Sequence, residues 1–168
     1  MTTTRKFLLL ALTTVALTAT AAQARIGLST QFIDVEFEGL KVGGVYNLRE
    51  LRGVPYTIKN RGSDPVSVQI EAQVPKGTTD APYELIPDPS WVELNPGTMR
   101  IEPESLGFSD IIIRIPDDPK LNGRHFQVTL WAHTVGTGML GAGVNSRLRF
   151  SIGAGPDTLA RRELAAAV

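Results

Sequence analysis

No cysteine occurs among the 168 residues. That excludes disulfides, a thiol nucleophile, thiolate metal ligands and a lipid-modified cysteine as a membrane tether. Histidine is nearly as scarce, at two. His125 and His133 are eight residues apart, about 26 Å in an extended chain, too far to share one metal ion. Neither basic nor acidic charge is in excess: Lys plus Arg and Asp plus Glu stand at 17 each. Such a balance gives no electrostatic case for binding nucleic acid or an anionic membrane. No serine sits in a glycine-flanked elbow with an identifiable base. The alternating acid pattern of a calcium loop is also missing. Asp117-Asp118 and Glu102/Glu104 fall in turn-like segments, where helix capping or solvation competes with calcium ligation. The chain therefore calls for no cofactor and carries no catalytic set.

The first 24 residues carry an export pattern. Arg5 and Lys6 precede an apolar stretch from Phe7 to Ala22, and Ala22-Gln23-Ala24 supplies small residues around a cleavage point. The stretch is shorter than the roughly 20 residues of a spanning helix, and nothing after it is longer. We read residues 1–24 as a removed signal in preference to the alternative, an uncleaved anchor, with no stable membrane insertion after removal and a periplasmic or secreted product. Removal leaves 144 residues, enough for one domain. It also takes two bases, so 15 bases face 17 acids, a net charge of −2. Residues 25–155 are read as the domain and 156–168 as a tail.

Period-two patterning runs through the domain. Ile33, Val35 and Phe37 alternate with acids; Val54, Tyr56 and Ile58 repeat the pattern; Val66, Val68, Ile70, Ala72 and Val74 alternate with polar residues. Shorter strands are expected at 91–94 and 99–101, and longer ones at 108–115 and 123–135. Phe126, Val128, Leu130 and Ala132 share one face of the last of these; His125, Gln127, Thr129, Trp131 and His133 share the other. Leu148, Phe150 and Ile152 form a final alternating set. The turns are marked by Asn60-Arg61-Gly62-Ser63-Asp64-Pro65, Asn95-Pro96-Gly97 and a proline-rich crossing over 75–90. Seven or eight short strands, with no helix in the middle, predict an all-β fold: a single immunoglobulin-like antiparallel β-sandwich. Gly155-Pro156-Asp157 would open a short C-terminal helix, or the tail is frayed.

Residues 54–74 and 91–126 carry more than generic alternation. A strand ends in Ile115-Pro116, Asp117-Asp118 makes an acidic bend, and Gly123-Arg124-His125-Phe126 starts the next strand. Over roughly 30–152 the chain resembles bacterial extracytoplasmic Ig-like sandwiches related to periplasmic pilus chaperones and cell-surface accessory domains. The resemblance implies fold more than task. It also implies strand addition, because pilus chaperones complete a subunit with such a last strand.

Candidate partner-binding residues follow. Trp131 and His133 lie on a polar strand face, so Trp131 is either covered by a terminal segment or exposed to bind. Met139 and Leu140 sit in the glycine-rich segment 136–143, which leads from strand to strand and so reads as a hairpin tip rather than a phosphate loop. Exposed there, both could dock on a partner. Leu148, Phe150 and Ile152 either face the domain's own core or pair with a partner chain. Trp91 reads as an anchor at the rim of the core, and Arg147 and Arg149 as a charged edge. The expectation is an exported, non-enzymatic module of the cell envelope that binds or helps assemble another exported or surface protein. A pilus-chaperone-like role and a carbohydrate-binding role through the Trp131 face are the alternatives.

Overall fold

The computed structural model describes residues 25–136 and 141–153. The signal reading at 1–24, Met139 and Leu140, and the tail at 156–168 lie outside the described residues. Among the described residues, no helix is long and apolar enough to cross a membrane.

Two sheets pack face to face. The first holds β1 (Leu28–Thr30), β3 (Val45–Asn47), β4 (Tyr56–Asn60), β7 (Val92–Asn95) and β9 (Leu106–Arg114). Within it β9 pairs with β4 through residues 106–109 and with β3 and β7 through 110–114. The second runs in the order β2 (Asp34–Leu40), β11 (Gly143–Ile152), β10 (His125–Val135), β5 (Val66–Gln73) and β8 (Thr98–Ile101), with β6 (Glu84–Leu85) beside β10.

The described strands number eleven rather than seven or eight. Those missed, β1 and β3, are three residues long, too short to show an alternation; β6 falls inside a short extended piece expected at Tyr83 to Ile86. The expected sandwich of mainly antiparallel strands is present, with two parallel pairings in the second sheet, β2 with β11 and β6 with β10. The chain changes sheets between β1 and β2. Phe32 plugs that crossing, buried edge-on against the Tyr56 ring at 5.3 Å. The crossing also breaks the alternation expected of Ile33, Val35 and Phe37: Phe37 is buried, whereas Ile33 is 69% exposed. A second crossing, at Asn95-Pro96-Gly97, carries the chain from β7 to β8, where Ile70 N donates to Gly97 O (2.8 Å).

The core lies between the sheets. Tyr56 and Ile58 of β4, Ile111 and Ile113 of β9, Phe126 to Ala132 on one face of β10, and Leu148, Phe150 and Ile152 of β11 are all buried. Burying each large side chain contributes roughly 1.5–3 kcal/mol, which lets a cysteine-free sandwich hold together. Trp91 stands at the rim, edge-on to Phe126 at 5.5 Å.

Polar knots are few. Asn60 is wholly buried; its Oδ1 accepts from Gly62 N (2.8 Å) while Nδ2 donates to the Asp64 and Ile101 carbonyls (2.8 and 3.2 Å). That geometry builds the turn marked by Asn60-Arg61-Gly62. One α-helical turn, α1 (Leu48–Arg52), and two 3-10 turns at Pro89–Trp91 and Pro119–Leu121 interrupt the strands, contrary to the expectation of none. Asn47 caps the start of α1, and Gly53 closes it in the left-handed region at φ 67°, which costs glycine little.

Candidate functional site

Two surfaces of the second sheet present residues for binding. One is the outer face of β5, β10 and β11. Trp131 stands there opposite Glu71 of β5 and Asn145 of β11. The ring lies across Gly143: a Cβ at that position would collide with Trp131 Cη2, so only glycine lets the indole lie down on the sheet. His133 stacks beside it, with ring centroids 5.5 Å apart and planes 18° apart. No hydrogen-bond partner for the buried His133 Nδ1 occurs among the described residues. Trp131 is thus half-buried by its own strand neighbours; of the two terminal segments expected to cover it, the N-terminal one pairs with β4 in the other sheet, and the tail at 156–168 lies outside the described residues.

Beside the indole, Glu71 accepts from Gln69 Nε2 (2.6 Å) and Gln73 Nε2 (3.1 Å), fixing both amides. A cleft of about 650 Å³ opens here, lined by Trp131, Gln73, Lys76, Gln127, Thr129 and Asn145 among others. His125 does not line it and is edge-on to Tyr83 at 5.8 Å, so the two histidines have separate aromatic partners. Nearby, Arg124 bonds Glu84 and holds its carboxyl below the usual carboxylate range.

The second surface is the free edge of β2. β2 ends the sheet, so one row of its backbone groups has no strand partner among the described residues. Beside it opens a groove of about 600 Å³, walled by Val35, Phe37 and Leu40 from β2 and by Tyr46, Leu51 and Val54 from around β3 and α1. Leu51 is 48% exposed. Glu36 and Glu38 also line it, Glu38 exposed. Alternation marked the apolar side of β2, but the groove's other wall comes from α1, which five residues could not announce.

β11 is not an edge. It pairs with β10 on one side and β2 on the other, and Leu148, Phe150 and Ile152 are buried in the core. A partner strand could not reach β11 without displacing β2, so these three residues take the core role and not the partner-pairing one. The charged-edge expectation for Arg147 and Arg149 is corrected likewise. Arg149 Nε reaches Asp34 Oδ1 at 3.1 Å and Arg147 reaches Asp34 Oδ2 at 3.5 Å, tying β11 to β2. The Arg149 guanidinium also lies over the Tyr83 ring at 4.9 Å. Asp118 does cap, accepting from Lys120 N at 3.0 Å. Among the described residues, no cluster of three or more His, Asp or Glu could hold a metal ion.

No family model matches the chain. No curated protein matches it either. Solved structures do match, at the level of fold. The human CEP192 ASH/PapD-like domain 7 aligns at 12% identity and TM-score 0.51, over 76% of this chain and 86% of that one. The periplasmic chaperone SfaE aligns at 10% identity and TM-score 0.52, over 77% and 60%. The YadV chaperone aligns at 11% identity and TM-score 0.50, over 74% and 51%. The chain thus spans between half and three-fifths of the length of these two chaperones. The fold is the PapD-like immunoglobulin sandwich, in line with the resemblance drawn from the sequence.

Proposed function

We propose that this chain is an exported binding and assembly module that takes an extended segment of another exported protein onto the free edge of β2. The observation that carries the reading is the conjunction at that edge: unpaired strand backbone directly beside an apolar groove. Main-chain bonds to an added strand supply affinity, and side-chain pockets supply selection. Glu36 already faces Arg149 at 3.7 Å, so Glu38 is the acid left to favour a basic residue in the added segment, with Arg52 across the groove favouring an acidic one; such edge charges also discourage indiscriminate pairing. Export rests on residues 1–24, which places the work in the periplasm or outside the cell. The PapD-like fold, shared with periplasmic chaperones, supports the assignment without naming the partner. Met139 and Leu140 are proposed as auxiliary contacts of the β10–β11 connection.

The test is capture of partners from cell-envelope extract by the wild-type chain and by Leu51→Asp and Glu38→Lys variants. Both sites are exposed, so circular dichroism should show the fold retained. The expected outcome is at least a tenfold loss of the specifically captured protein in Leu51→Asp and a smaller loss in Glu38→Lys. Undiminished capture by both variants would rule the β2 edge out.

A further inference from the structure

We propose that the cleft on the outer face of β5, β10 and β11 is a saccharide site, in which Trp131 stacks on the apolar face of a pyranose ring. This site is separate from the β2 edge and does not depend on it.

The argument starts from Gly143. A strand glycine weakens the sheet, and here its missing side chain lets the Trp131 indole lie along the sheet. The stacked His133 ring braces the indole from the side. An indole lying along the sheet offers a broad, electron-rich π face. A pyranose carries its C–H bonds on one face as a weakly positive surface that complements it, as the electropositive edge of one aromatic ring complements the face of another.

The remaining walls supply what the ring's hydroxyl groups need. Gln73, Gln127 and Asn145 each carry both a donor and an acceptor, Thr129 adds a hydroxyl and Lys76 an ammonium. Gln73 is already positioned by its bond to Glu71 (3.1 Å), so less side-chain freedom is lost on binding. The other charges at the cleft are paired: Arg147 reaches Asp34 at 3.5 Å. A neutral saccharide fits that balance better than a polyanion. The volume of about 650 Å³ lies within the ~300–1,000 Å³ of small-molecule sites.

The experiment screens the full chain on an array of neutral and acidic oligosaccharides, then measures affinity for bound ones by calorimetry. Trp131→Ala should weaken binding at least tenfold, and Trp131→Phe should keep an intermediate affinity. Gly143→Val should weaken it as much as Trp131→Ala, although it leaves the indole in place, because the new side chain lifts the ring. Thermal melts check folding; if Gly143→Val is unfolded, the two Trp131 variants decide. The proposal is overturned if the full chain binds no saccharide, if it binds only acidic ones, or if binding survives in Trp131→Ala. It is equally overturned if Trp131→Ala loses a protein partner while no saccharide binds.

Discussion

Tyr56 and Asn60 carry most of the polar risk in the core. The Tyr56 hydroxyl meets Ser146 Oγ at 3.0 Å deep between the sheets. Burial raises its pKa above the ordinary 10.0, more than the Ser146 bond lowers it. A raised folded pKa means the stabilisation is complete below pH 10 and is lost as pH climbs toward the folded value, because the unfolded chain ionises first. Chemical denaturation between pH 8 and 11.5 should show wild type losing up to about 1.4 kcal/mol more per pH unit above 10 than Tyr56→Phe. At pH 7 the same variant should cost about 1 kcal/mol for the lost bond. Asn60→Ala should cost more, about 3 kcal/mol by the same measurement, since it strands the buried Ile101 carbonyl and the buried Gly62 N–H together.

Among the elements, β11 is the one whose role turns on what surrounds it. Alternation in the sequence leaves Leu148, Phe150 and Ile152 open to a core or a pairing role, the core being favoured for a self-sufficient domain, because it says which residues share a side and not what lies on it. The decision comes from β2, which reaches β11 only because the chain switches sheets at Phe32. Phe150→Ala should therefore destabilise the domain by about 3 to 5 kcal/mol in a urea melt. It should leave partner capture intact wherever the protein remains folded. The long strands β5, β9 and β10 were legible because eight or more residues display a period. β1, β3 and α1 were not, since three, three and five residues display none. The Trp131 platform was half legible: its face was evident, but its dependence on Gly143 is a cross-strand contact that no linear spacing reveals.

For the molecule as a whole, charge and core size follow from composition, while the shape of the binding surfaces follows from topology. A sequence without cysteine must stabilise itself by burial, and the two sheets do so. The groove at β2 draws its walls from residues 35–40 and 46–54, from opposite sheets, and only the fold brings them together. The parallel pairing of β2 with β11 has a mechanical consequence. Asp34 sits beside Arg147 and Leu40 beside Ile152, so the chain enters this strand pair at one end and leaves it at the other. Tension between Asp34 and Ile152 loads the bonds of that pair all at once, in shear, instead of unzipping them one by one. The pair is thereby built to resist a pull along its strands.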